Sequence, residues 1–438
     1  MISEYFISEV NEKIVSSSSI KFDQYKITEL NNGIKVISEY IPHFRSISLG
    51  FWVPAGSRNE NRNINGISHL IEHLIFKGTK KRSYKDIAIE FDSMGAEFNA
   101  FTDKENCCVY ADFIDTHLDS CTELLFDILT NPSFLTEHIK TEKKVIIEEI
   151  KMVEDNPSDN IMNYFYEAVL DGHPLSLPIL GTNNSLKMIK KSAILDYFKE
   201  KFNIGGTVIS AAGNIKHKDL IDKIKKNIGG MENRKYINDF TGQEPPDNGS
   251  VKKIHSSKTS SVHLCFGGLG CRRDSEDKYS ISLFTNLFGG SMSSRLFQKI
   301  REEEGLAYSI FSSNAQYLDT GITIIYSASS PKNAGRILKL IKDEIVDINK
   351  HGVNEVELER AKENLKGNIV LGVEDISSRM FRLGKGLLFD KKVLTINQIL
   401  KKIDKVKQND LNDIVDKYFK LDKMSLVVLG KLNKGRLL

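Results

Sequence analysis

Two histidines one helical turn apart, with a glutamate beside the second, occur at His69, Glu72 and His73 in the run Gly66-Ile-Ser-His69-Leu-Ile-Glu72-His73-Leu-Ile-Phe76. On a helix, residues i and i+4 project from one face. Both imidazoles can therefore meet a single divalent ion at the ~2.0–2.1 Å typical of Zn–N bonds. Glu72 stands three residues on from His69, where its carboxylate can reach a water held at the ion without ligating it. Leu70, Ile71, Leu74 and Ile75 fill the other positions and predict a buried helix whose polar side lines a cleft. The chemistry open to this set is metal-assisted hydrolysis with a carboxylate as general base. The same spacing also suits a buried helix with two hydrogen-bonded core histidines, so a third ligand is needed.

Residues 137–153 have helical period and offer one. Val145, Ile146, Ile150 and Val153 form an apolar stripe with Glu149 inside it, and Glu142 falls two turns earlier on the same face. Glu148 points away and reads as solvated. A carboxylate on an apolar stripe is costly unless it is paired or metal-bound. Glu149 is the expected third ligand, and Glu142 the expected partner that orients a histidine from behind. The competing reading is a helix merely charged at its edges.

Elements must hold these groups in place. Ser46-Ile-Ser-Leu-Gly-Phe-Trp52, followed by Ala55, Gly56 and Arg58, resembles Ser261-Val-His-Leu-Cys-Phe-Gly267, followed by Gly268, Gly270 and Arg272. Both alternate like strands with one buried face. The helical stretch 137–151 likewise matches 356–370, and Val153-Glu154-Asp155 matches Val373-Glu374-Asp375. Self-similarity of this kind predicts an internal duplication. The expected fold class is α+β: two homologous domains, each a mainly antiparallel sheet with helices packed on one face. The N-terminal domain, 1–230, carries the metal motif. A breaker-rich linker, 231–252, contains Gly242 and Pro245-Pro246. The C-terminal domain, 253–438, has no second motif, so one zinc ion per chain is expected.

Composition narrows the function classes. The 438 residues are 40% hydrophobic and 27% charged, with 61 basic and 58 acidic residues giving a net charge of +3. No basic stripe suggests nucleic acid, and no run approaches the ~18 apolar residues of a membrane span. Five cysteines without a CxxC pair make neither a disulfide framework nor a thiolate metal site. The first residues lack the basic and apolar regions of a signal peptide and include Glu4, Glu9 and Glu12. A cytoplasmic protein is expected.

Taken together, these motifs resemble the inverzincin peptidases, the family of pitrilysin, insulin-degrading enzyme and the mitochondrial processing peptidase, and its small bacterial processing-peptidase-like branch in particular. The likeness lies in HLIEH, Lys77-Gly78-Thr79, the widely spaced Glu149, Met94-Gly-Ala-Glu-Phe-Asn-Ala-Phe-Thr102 and Glu154-Asp-Asn-Pro157. It continues in His173-Pro174, Pro178-Ile-Leu-Gly181, Ala211-Ala-Gly-Asn214, Gly289-Gly-Ser-Met-Ser-Ser-Arg-Leu-Phe297 and Gly305-Leu-Ala-Tyr308. The resemblance implies a zinc-dependent endopeptidase that hydrolyses extended or unfolded peptides in a chamber between domains. It implies metal ligands His69, His73 and Glu149, with Glu72 as base and Glu142 behind a histidine. The Asn99-Ala100 segment matches an edge strand that pairs with the substrate backbone. Arg295 and Tyr308 match a pair from the second domain that binds the substrate carbonyl. A homodimer is the expected assembly, with a heterodimer containing an inactive relative as the other possibility. The competing function is a non-catalytic peptide-binding or assembly subunit of the same fold.

Overall fold

The computed structural model describes residues 24–202, 204–228, 242–245, 249–390 and 392–431. Most of the expected linker, 231–241 and 246–248, lies outside the described residues. Two sheets organise the chain. The first contains β1 (Tyr25–Glu29), β2 (Lys35–Tyr40), β3 (Ser46–Val53), β4 (Glu97–Thr102), β5 (Cys107–Ile114) and β6 (Val208–Gly213), in the order β1-β2-β6-β3-β5-β4. The second contains β7 (Lys252–His255), β8 (Val262–Gly270), β9 (Ala307–Gln316), β10 (Gly321–Ser329) and β11 (Ser425–Leu429), in the order β7-β11-β8-β10-β9. Each has one parallel pair, β2 with β6 and β7 with β11, among antiparallel neighbours. Apart from β1, the second sheet repeats the succession of the first, as an internal duplication requires. The matched helical stretches are observed as Thr136–Asp155 and Glu355–Leu371.

The alternating strands were expected to bury one face, but they bury both. In β3 only Ser46 is not fully buried. Val36, Leu49, Phe51 and Val109 face a core made with helices of the same half, including Ile67–Ile75 and Thr136–Asp155. Ile37, Trp52, Cys108 and Ala212 face the other way, onto Ile376, Met380 and Leu383 of the helix Ile376–Phe389. The second sheet reciprocates: Cys265, Ile324 and Val427 receive Ile161 and Phe165 from the helix Pro157–Val169. Each half thus lends the other a helix. Burying a side chain such as Phe165 or Leu383 contributes ~1.5–3 kcal/mol, so separating the halves costs many such contacts. The pattern left this hidden because small residues, Gly50 and Ser210, occupy the exchanged face: a Cβ on Gly50 would meet Met380 Sδ at 2.4 Å.

A buried polar clamp adds to the exchange. Arg58, beside the first sheet, bonds Glu105 at 2.8 Å and forms a second ion pair with Asp319 of the β9–β10 turn. Arg273 reaches the same Glu105 from the second half, and the Leu318 N–H donates to it at 3.0 Å. His173 and the Gln243 N–H complete the surroundings of Asp319. Burial opposes ionisation of Asp319, but His173 at 3.6 Å and the hydrogen bonds from Arg58 and the Gln243 N–H outweigh it and hold its carboxyl well below the usual range.

Candidate metal centre

The helix Ile67–Ile75 begins at Gly66, whose φ of 92° favours glycine. A Cβ there would also lie 2.6 Å from the Leu180 carbonyl oxygen. Gly66 has no side chain to cap the helix, and buried Glu60 supplies the cap instead. Its carboxylate accepts from the N–H of Gly66 at 2.7 Å, the N–H of Ser68 at 2.9 Å and the Asn65 amide at 2.9 Å. A carboxylate at a helix N-terminus is favoured by the helix dipole. Burial pushes the Glu60 carboxyl up, and the bonds from Ser68, Gly66 and Asn65 pull against that. Leu70, Ile71, Leu74 and Ile75 are buried as expected.

The helix Thr136–Asp155 packs on this one and presents Glu149 to it. Glu149 Oε2 lies 3.8 Å from both His69 Nε2 and His73 Nε2. These distances are too long for hydrogen bonds. They approach the ~3.4 Å that separates two ligands of one tetrahedral ion held at about 2.1 Å. The three ligand atoms fall within 4.8 Å of one another, the one such cluster of His, Cys, Asp and Glu among the described residues. Burial, with His73 as a lesser cause, holds the His69 imidazole down to about 3. The neutral ring is the metal-binding form. Burial pushes the Glu149 carboxyl up, which the nearby His73 partly offsets. The donor set and spacing therefore fit a zinc ion with a coordination position left over.

Behind His73 stands Glu142, with its Oε2 at 3.1 Å from His73 Nδ1. A carboxylate only accepts, so Nδ1 carries the proton and the Nε2 lone pair faces Glu149. Lys77 meets the other oxygen of Glu142 at 3.0 Å. His69 has no such support among the described residues, since its Nδ1 is buried without a hydrogen bond. The stripe differs in one detail from the sequence reading. Ile139, Ile146 and Ile150 are buried, but Val145 is 46% exposed. Glu149 consequently sits where the buried side gives way to the cleft, and its side chain remains 39% exposed. Glu148 is solvated and paired with Lys151.

Glu72 adjoins the cluster at 9% exposure. Burial pushes its carboxyl up and the Glu149 charge adds to that, against a hydrogen bond from the Thr102 hydroxyl and the proximity of His73. Asn99 and Ala100 lie on β4, at the open edge of the first sheet. Arg295 and Tyr308 are not brought to the cluster by any bond. Arg295 is paired with Glu357, Asp347 and Glu344, all in the second half, and Tyr308 is 74% exposed on β9. Three carboxylates of its own half thus hold Arg295. Sequence reasoning missed Glu60, Lys77 and Thr102. Thr102 could have been found from Ala100, because residues two apart in a strand share a face. Nothing local pointed to Glu60.

Comparisons with known proteins bear on the whole arrangement. Residues 35–183 match the family model described as Insulinase (Peptidase family M16), and residues 189–365 match the Peptidase M16 inactive domain. A protein of Bacillus subtilis described as an uncharacterized zinc protease is 36% identical over 89% of this chain and 95% of its own length. One of Rickettsia felis with the same description is 33% identical over 91% of this chain and 95% of its own. The crystal structure of a protease from Helicobacter pylori superposes with a TM-score of 0.87 at 20% identity, covering 94% of this chain and all of that one. At that identity the likeness speaks for the fold alone, whereas the sequence matches reach further. With its two domain types in order and its relatives matched almost end to end, the chain belongs to peptidase family M16, the insulinase family.

Proposed function

We propose that this protein is a zinc-dependent endopeptidase that hydrolyses extended or unfolded peptides. The observation that carries the reading is the convergence of His69, His73 and Glu149, with Glu72 buried beside them. Relatives named as zinc proteases support it. When bound, zinc polarises the scissile carbonyl and makes water a nucleophile near neutral pH. His69, His73 and Glu149 would hold the ion, one per chain, and Glu142 would keep His73 in its ligating tautomer. Glu72 accepts the proton of the attacking water and returns it to the leaving amine. Burial, which pushes the Glu72 carboxyl up, suits a group that must carry the proton between the two steps.

The peptide docks as an added strand on β4, at Asn99 and Ala100. Backbone pairing holds it extended whatever its side chains. Arg295 and Tyr308 approach the substrate carbonyl from a second copy of the chain, which makes the working form a homodimer. The exposure of Tyr308 supports this, as does the anchoring of Arg295 wholly within its own half. No described helix is long and apolar enough to cross a membrane, and a cytoplasmic location accords with five buried free cysteines.

The test is metal content together with cleavage of a quenched fluorescent peptide library, with and without a chelator. About one zinc per chain and chelator-sensitive cleavage are expected. Glu72→Gln should keep the zinc and lose at least ~100-fold in turnover. A protein that binds peptides but cleaves none after zinc is supplied would instead be an assembly or binding subunit.

A further inference from the structure

Strand β4 bears on the base as well as on the peptide. The N–H of Ala100 is met by Asn99 Oδ1 at 2.8 Å rather than by β5, and the Asp103 N–H crosses the hairpin to Asn106 O at 2.7 Å. Main-chain groups alternate in direction along an antiparallel strand. The N–H and C=O of Phe98, Ala100 and Thr102 therefore face the open edge, while those of Glu97, Asn99 and Phe101 face β5. Side chains alternate with the same period. Phe98 and Ala100 pack on the first core. Thr102, on the same face, donates its hydroxyl to Glu72 Oε2 at 2.5 Å. One residue thus offers its main chain to the docking edge and its side chain to Glu72.

We propose that Thr102 is a positioning residue that couples peptide docking to the base. Its hydroxyl fixes Oε2 of Glu72, which leaves Oε1 to meet the attacking water. A peptide paired along β4 immobilises Thr102 and, through it, the carboxylate. Without the hydroxyl, the carboxylate turns about its last side-chain bond and the productive orientation is only one of several. The metal ligands are untouched, since Thr102 bonds none of them in the described structure. The inference rests on the peptidase reading above and adds a specific residue to it.

The test compares T102V, which keeps the shape and loses the hydroxyl, with T102S, which keeps the hydroxyl. Zinc content, unfolding temperature, kcat and KM on a quenched peptide are measured for each. T102V is expected to retain wild-type zinc and a KM within about twofold while kcat falls about 10- to 100-fold, the scale of a misplaced catalytic group. T102S is expected to restore kcat to within about threefold of wild type. Unchanged kcat in T102V overturns the inference. So does a T102S variant as slow as T102V, which would show that a retained hydroxyl does not preserve the base. So does a loss of zinc that matches the loss of turnover. Should T102V unfold at the assay temperature, T102A against T102S makes the same comparison. Wild-type protein that binds zinc and cleaves nothing would remove the peptidase reading itself, independently of any variant.

Discussion

Glu142 gives the sharpest test of how the proposed metal ligands are held. Its side chain is 5% exposed, with one oxygen 3.1 Å from His73 Nδ1 and the other 3.0 Å from Lys77 Nζ. In Glu142→Gln one of the two terminal atoms becomes an NH2 that cannot accept, so with the side chain in place either His73 or Lys77 loses its acceptor. Lys77 is 37% exposed on its side chain and can turn to water, so the amide oxygen should stay with His73. A charge-assisted bond then becomes a neutral one, and zinc affinity should fall about 10-fold, or about 1.4 kcal/mol. Glu142→Ala removes the acceptor altogether and frees the imidazole to rotate or change tautomer. There the loss should approach 100-fold, about 2.7 kcal/mol. Lys77→Ala leaves His73 its acceptor and should cost under about 3-fold. The assay is competition for zinc against a chelating dye at fixed pH, with Glu149→Gln as a reference for loss of a direct ligand. Wild-type affinity in Glu142→Ala would refute the argument, as would a Lys77→Ala effect equal to that of Glu142→Ala.

Other consequences follow from the exchanged helices, the clamp and the cap. A methyl group at Gly384 would stand 2.0 Å from Trp52 Nε1, which donates to Ser210 at 2.8 Å. Gly384→Ala should therefore cost about 1–3 kcal/mol through overpacking, read as a lower unfolding temperature, and an unchanged midpoint would count against the exchange. Asp319 has its folded pKa below the unfolded value of about 3.9. The clamp's contribution is thus complete above about pH 4 and is lost as pH falls through the folded value. Thermal unfolding between pH 7 and pH 3 should show wild type losing more stability than Asp319→Asn, and parallel curves would exclude the clamp. Replacing Glu60 by Ala leaves buried N–H groups at the start of the metal helix without an acceptor, a loss of about 1–3 kcal/mol. The unfolding midpoint should fall accordingly, with zinc affinity falling alongside it.

The sequence by itself determined the candidate donor set and the repeat. His69, Glu72 and His73 are joined by one helical turn, so their mutual placement depends only on local backbone geometry. Glu149 and Glu142 were legible because a carboxylate among apolar neighbours demands an explanation that few partners can supply. The two matched segments gave the duplicated sheets for a similar reason, since alternation and helical period are written in consecutive residues. What tertiary structure decided has no such local trace. Exchange of the helices Pro157–Val169 and Ile376–Phe389 depends on surfaces far apart in sequence, and small residues on the receiving face disguised the burial of both sides. The hydroxyl of Thr102 meets Glu72 from 30 residues away. Arg295, which sequence likeness assigned to the reacting carbonyl, is tied by Glu357 and Asp347 within its own half. Ion pairs of that kind form wherever packing brings the charges together, and only the folded chain fixes which charges those are.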